Sequence, residues 1–517
     1  MLIDARRLPA DKIKAGVCII GSGMGGTSVA KRLIEAGQDV LIVEAGGDRN
    51  SRRVVPPVQH QMVGKSFGLP LTRVLEIGGS TNAWHGICAP LDPIDFETRD
   101  WIAESGWPIA YSDLESHYAE ARNWLGVGAS HPDTTVSRPA EGPETAETQQ
   151  ILATKRFWTC RTPARMKNVV LRWTNTGRAR CLMHAVGLEL RVDECGTVRS
   201  LLAGCGDRII EIEALVFIVA AGALETPRLL LNSDRRSGWR LGAVAALAGR
   251  YLMDHPVGYF SQAVFHEKLA KPFGEAALGR VGFIVGLGLR AELQRQFQLP
   301  NHYVFIRPGT GTAKVPNELL RSFLGARGPL DLSGRQLLSI MTNRYILQRV
   351  ACEYFRVSLR TRYGDIYVMA EQVPNPNSRV ALSENKIDEF GYPVACVDWR
   401  ISQKEWDHFE KYFSLVAEGL RQDRRVASLR LDAIEEWPRL LSSAAHHLGT
   451  ARMATTPSRG VVDADLRVFG CKNLFVCDGS VFPTSSGTNP SLTICALGLR
   501  LGAHLAKAFM PVAVQAV

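Results

Sequence analysis

Ten residues near the start of the chain limit its fold more than any other stretch: Val17-Cys-Ile-Ile-Gly21-Ser-Gly23-Met-Gly-Gly26. The apolar run before Gly21 predicts a buried strand. Val29, Leu33 and Ile34 repeat at helical spacing after it, and Gly37 stands where a helix stops. Val40-Leu-Ile-Val-Glu44 then reads as a second strand. Strand, glycine turn, helix and strand open a doubly wound, Rossmann-like sheet. In such a turn Gly21, Gly23 and Gly26 allow close backbone approach, and the helix N-terminus faces a diphosphate. Glu44 is placed to accept hydrogen bonds from a ribose. A glycine-rich turn that only packs is the alternative, and the motif does not choose between FAD and NAD.

A second informative stretch lies near the other end. His446-His447-Leu-Gly-Thr450 is followed by Asp478-Gly479-Ser-Val-Phe-Pro483 and by Asn489-Pro490. Imidazole titrates near neutrality and suits the removal of a hydroxyl proton. Adjacent histidines in extended chain point to opposite sides, so at most one of the two should face a ligand. Two core or surface histidines are the plainer alternative. No third ligand at a characteristic spacing suggests a metal. Asn489 reads as an N-cap and Pro490 as the first residue of a helix. The tip of that helix carries partial positive charge, which favours the negative charge of a reduced flavin; a cap on a core helix explains the same residues. Asp478 and Gly479, at the end of the apolar run Asn473–Cys477, suit a further cofactor contact or a local turn.

Composition sets the outer limits. The chain has 517 residues, enough for about three domains or two large interleaved ones. Its net charge of +10 is spread along the sequence without a basic, aromatic-lined face, which disfavours nucleic acid. Eleven cysteines include no CxxC pair, as expected of a reducing compartment, and the expected localisation is cytoplasmic. No run reaches the ~18 apolar residues of a membrane span. Polar residues 130–150 read as an exposed loop or lid, residues 166–222 as short β-like runs, and Gln403–Leu420 as an amphipathic helix. The glycine-punctuated style of the start returns after Leu441. This gives an expected FAD-binding domain from 1–258 and 441–517, with a loop-rich 77–165 region on the substrate side, and a substrate domain from 259–440.

Further blocks carry a family resemblance: Gly78-Gly79-Ser80-Thr-Asn82-Ala83-Trp84, Pro90–Phe96, Ser105–Pro108, Ala221–Leu231, Met253-Asp-His-Pro256, Glu371–Pro376 and Gly460–Asp463. With the two motifs above, the chain resembles the glucose–methanol–choline (GMC) oxidoreductases over most of its length. The resemblance implies an α/β architecture (α+β overall), with a Rossmann-like FAD domain and an interleaved substrate domain on an antiparallel sheet. It implies hydride transfer from an alcohol CH–OH to flavin N5, with His446 as base and Asn489 as its partner. It places Gly79, Ser80, Asn82 and Pro490 with the cofactor residues. Ala83 stands where some relatives carry a flavin-linking histidine, so FAD is expected to be non-covalent. The similarity is to the branch acting on sugars, polyols and cyclitols, and Glu371 and Gln372 are candidate hydroxyl binders. Oxygen, a quinone or a carrier protein remain open as acceptor. So do a simple or aromatic alcohol as substrate and a redox-silent, hydroxynitrile lyase-type activity.

Overall fold

The computed structural model describes residues 1–48, 60–65, 73–127, 146–160, 163–238, 241–242, 244–269, 275–278, 281–309, 338, 342, 347, 361–432 and 434–508. In the strand Lys12–Ile20, partly exposed residues give way to the fully buried run Val17–Ile20. Val40–Glu44 is buried throughout. Continuous burial of this kind belongs to parallel strands covered on both faces. The two strands pair in parallel, Val17 opposite Val40. They are central in an eight-stranded sheet ordered Leu2–Asp4, Arg180–Met183, Val40–Glu44, Lys12–Ile20, Arg208–Val219, Val198–Cys205 and Val186–Val192. The long strand Arg208–Val219 changes partner midway. Its first half pairs antiparallel with Val198–Cys205, and its end pairs in parallel with Leu474–Val476. The C-terminal part of the chain is thereby built into the sheet that the N-terminal part begins.

The helix Met24–Glu35 follows the glycine turn and stops at Ala36, with Gly37 at φ +74°. It packs on the helix Ser491–Ala508 through glycines that admit no side chain. A Cβ on Gly498 would lie 2.7 Å from Ser28 Cβ, and one on Gly502 2.7 Å from Arg32 Cβ. The helix Ser112–Leu125 packs on Ser491–Ala508 as well.

A second, nine-stranded sheet among the described residues is antiparallel and runs Val426–Leu431, Pro256–Leu269, Thr361–Met369, Tyr303–Gly309, Val281–Leu289, Leu152–Cys160 and Ile87–Cys88, with Ser442–Ser443 beside Pro256–Leu269 and Glu275–Leu278 beside Val281–Leu289. The helix Gln403–Arg421 covers it, opened by a capping box between Ser402 and Glu405. Its buried Phe409, Phe413, Val416 and Leu420 join Phe260 and Trp437 in a core separate from that of the first sheet. The nine cysteines whose side chains are described are free thiols, so none of these nine contributes a disulfide to the fold. Among the described residues no helix is long and apolar enough to cross a membrane.

Two expectations need correction. Residues 166–175 form a helix rather than β-like runs, with Met166, Val170 and Trp173 on its buried face. Of the loop expected at 130–150, residues 146–150 belong to the helix Ala146–Ile151, while 128–145 lie outside the described residues.

The loop at Arg99 is locked to the second sheet by a fully buried, bidentate ion pair. Arg99 donates to Glu371 at 2.9 and 2.5 Å, and both side chains are 0% exposed. Arg99→Ala strands a buried carboxylate, with an expected cost of about 3–5 kcal/mol. The check is a lowered urea midpoint followed by far-UV circular dichroism.

Candidate active site

The glycines of the N-terminal turn have separate tasks. A Cβ on Gly25 would lie 1.9 Å from the Cys477 carbonyl oxygen, and one on Gly26 2.2 Å from that of Gly21. Both glycines serve packing within the protein. Gly21, at φ +107°, closes on Ala220. Gly23 differs. It is the N-cap of Met24–Glu35, has no side-chain cap, and a Cβ there meets nothing within 4 Å. The helix N-terminus therefore opens onto space at Gly23, as an anion cradle requires. Gly79, at φ +53°, forms the opposite wall, its Cβ position 3.5 Å from Gly23 Cα.

Three loops around this cradle are joined by one hydrogen-bond chain. Gly78 N–H donates to Ser22 Oγ at 2.8 Å, and Ser22 Oγ–H donates to Glu44 Oε2 at 2.5 Å. Glu44 also accepts from Ser22 N and Gly46 N. Burial raises its carboxyl pKa, and these donors oppose the rise. Asn82 turns inward, donating to the Ile77 carbonyl at 2.8 Å, while Ser80 is exposed. The open helix N-terminus at Gly23 and the buried carboxylate of Glu44 are compatible with the diphosphate and ribose of a dinucleotide.

The C-terminal motifs meet on the other side of the helix. Gly449, Ala451 and Met453 donate from their backbone to the carbonyls of Gly479, Ser480 and Val481, zipping the histidine turn to the Asp478-Gly479 turn. Asp478 accepts from Gly222 N, Thr226 Oγ1 and Ser480 N, so its carboxylate anchors three protein donors. Asp254 performs the same task for the histidine turn. It accepts from His255 N, Ala444 N, His446 N and Ser443 Oγ. These bonds hold Ala445 at φ +62°, where a non-glycine residue is strained. The adjacent histidines diverge as expected. The His446 ring meets His255, with Nδ1 to Nδ1 at 2.9 Å, whereas His447 Nε2 lies 3.6 Å from Asp254 Oδ2.

His255 was missed as a site residue by sequence reasoning; its only signal is its place between Asp254 and Pro256. Its Nε2 is 3.1 Å from the Ser485 carbonyl, so it ties the His446 turn to the segment leading into Asn489. The terminal helix opens at Ser491, one residue later than expected, leaving Pro490 just before it. Asn489 is half-buried, and no hydrogen bond within the described residues engages its amide. Among the described residues no group of three His, Cys, Asp or Glu is placed to hold a metal.

Glu371 and Gln372 do not present their side chains to a ligand. Glu371 is consumed by Arg99 and by Asn301 N. Gln372 accepts from Asp254 N and Trp399 Nε1 and donates to the Arg400 carbonyl. Beneath residues 484–488 lies a buried polar network. Ser486 Oγ donates to Asp95 Oδ2 at 2.7 Å, and Lys155 Nζ bridges Thr488 Oγ1 and Asp92. Burial, with Asp92 and Glu371 nearby, pushes the Asp95 pKa up to about 7. A raised folded-state pKa means stability that is present below about pH 4 and lost as pH rises through about 7. Thermal melts across this range should therefore show wild type losing stability relative to Asp95→Asn as pH increases.

With this geometry in view, similarity to known proteins becomes specific. Residues 374–498, which include His446, Asp478 and Asn489, match the GMC oxidoreductase family model. Over these residues the chain is similar to the GMC oxidoreductases. It is 25% identical to 6'''-hydroxyparomomycin C oxidase of Streptomyces lividus, over 95% of this chain and 92% of that one. It is 24% identical to 2-methyl-1,2-propanediol dehydrogenase of Mycolicibacterium austroafricanum, over 96% of each. The crystal structure of pyridoxine 4-oxidase from Mesorbium loti shares its fold, with a TM-score of 0.55 and 16% identity over 95% of this chain and 99% of that one.

Filling the cradle should separate cofactor binding from folding. Gly23→Val meets open space, so its unfolding midpoint without FAD should match wild type within about 0.5 kcal/mol. Its affinity for FAD, titrated by quenching of flavin fluorescence, should be lost.

Proposed function

We propose that this enzyme oxidises a hydroxyl of a sugar, glycoside or cyclitol, with His446 as the base and Asn489 as the group that holds the substrate oxygen. The observation that carries the reading is the linkage of His446 through His255 to Ser485, four residues before Asn489. It ties the turn that carries a titratable ring to the segment that leads through Asn489 into the terminal helix. FAD, when bound, supplies the two-electron acceptor for the hydride. His446 takes the hydroxyl proton, and the Asn489 amide donates to the oxygen, so the carbinol C–H is held in one orientation. The N-terminus of Ser491–Ala508 adds partial positive charge where negative charge develops.

Gly21, Gly23, Gly26, Glu44, Gly79, Ser80, Asn82, Asp478, Gly479 and Pro490 form the proposed cofactor shell, several of them through backbone alone. Ala83 offers no nucleophile, which supports non-covalent FAD. The hydroxyparomomycin oxidase supports a polyhydroxylated, sugar-like substrate; the propanediol dehydrogenase supports a simple alcohol as the second reading. One relative is an oxidase and the other a dehydrogenase, so both acceptor types belong in the test.

Anaerobic mixing of the FAD-loaded protein with sugars, glycosides, cyclitols and simple diols should bleach the flavin with a sugar-like member. Bleaching by diols alone would favour the second reading. A flavin that dithionite reduces but no panel member bleaches would count against oxidation and for lyase chemistry. His446→Ala should keep its yellow colour and lose about 10²–10⁴-fold in the rate of bleaching. Acid precipitation should leave flavin in the supernatant.

A further inference from the structure

A histidine can act as a base only through an unprotonated nitrogen, and the group behind the ring decides which nitrogen that is. Behind His446 stands His255. The rings are nearly perpendicular at 83°, with centroids 5.0 Å apart and Nδ1 facing Nδ1. His255 itself is rigidly mounted. Its N–H donates to Asp254 Oδ1 at 2.6 Å, its carbonyl accepts from Ala444 N, and Pro256 starts a strand directly after it.

The protons can be assigned along this pair. Ser485 offers His255 Nε2 a carbonyl oxygen, which only accepts, so Nε2 carries a hydrogen. A second proton, on Nδ1, would make His255 a cation at 0% exposure. Burial disfavours this and lowers its pKa; the neighbouring Asp254 charge opposes that shift as the lesser cause. The Asp254 oxygens are also already taken up by Ser443 and three backbone N–H groups. A neutral His255 with its proton on Nε2 has its lone pair on Nδ1. The short contact is then His446 Nδ1–H donating to His255 Nδ1, and the lone pair of His446 lies on Nε2.

We propose that His255 is a positioning residue which, by accepting the Nδ1–H of His446, fixes Nε2 of His446 as the nitrogen that receives the substrate proton. The proposal rests on His446 being the base. In the reaction the substrate O–H bond breaks and an Nε2–H bond forms on His446. The Nδ1–H bond to His255 then becomes charge-assisted and stronger. Unlike a carboxylate in that place, His255 orients the base without adding a charge behind it.

The test is solid-state NMR of FAD-loaded, 15N-histidine-labelled protein, with signals assigned by their loss in His446→Ala and His255→Phe. The expected pattern is His446 protonated on Nδ1 alone and His255 on Nε2 alone. His446 protonated on Nε2, or His255 on both nitrogens, would overturn the proposal. Two variants add a kinetic arm. His255→Asn can place an amide oxygen where Nδ1 stood, whereas His255→Gln can reach the Ser485 carbonyl but leaves no acceptor at that point. With unchanged melting midpoint and FAD content, His255→Gln should lower flavin reduction by the bleaching panel member about 10²-fold. His255→Asn should recover most of that loss. Equal rates in the two variants would sink the idea. If His446→Ala reduced flavin at the wild-type rate, the base assignment itself would fail, and the NMR pattern would still decide the tautomer separately.

Discussion

The Asp254 carboxylate accepts the backbone N–H groups of three residues and the Ser443 hydroxyl, and the geometry of the histidine turn follows from those bonds. A turn carrying a non-glycine residue at positive φ would relax if left to itself. Here it cannot, because one buried anion satisfies both strands of the turn at once. Gln372 supports the anion from behind by accepting Asp254 N, and Trp399 and Arg400 fix Gln372 in turn. The placement of His446 is thus set by residues from the strand at 256, the segment at 372 and the loop at 400. None of these segments adjoins it in sequence.

The N-terminal half of the site is organised differently. It uses few side chains and much exposed backbone, as recognition of a diphosphate demands. Its rigidity comes from the relay Gly78–Ser22–Glu44, in which a hydroxyl both accepts and donates. A carboxylate that orders two loops retains lone pairs for a ribose, so Glu44 can serve structure and ligand together.

Much of this was legible in the sequence because it is local. The glycine turn, the stop at Gly37, the apolar strands and the amphipathic period of Gln403–Leu420 are each determined within a few residues or turns. The helix at 166–175 was missed because Val169-Val170-Leu171 reads locally as β, while its actual signal, Met166, Val170 and Trp173, is spread over two turns. Glu371 and Gln372 looked like ligand-binding groups because polar residues in a loop usually face solvent. Their burial depends on Arg99, 272 residues away, and on a tryptophan and a backbone amide from other segments. His255 stayed hidden for the same reason. Its partner is 191 residues distant, and nothing near it in the chain reveals the contact.

The close crossing of Met24–Glu35 and Ser491–Ala508 has a consequence for how the protein comes into being. Ser28 and Cys495, in hydrogen-bond contact, are separated by 467 residues. At about 5–20 residues per second, a ribosome needs roughly 20–90 s to deliver the second after the first. Throughout that interval the helix after the glycine turn has no partner for this face, and the strand Arg208–Val219 lacks its neighbour at 474–476. The first strand–turn–helix element to emerge is therefore among the last to be completed. A nascent chain interrupted before the terminal helix would expose apolar surface at its oldest end, and it is there that a chaperone would have most to shield.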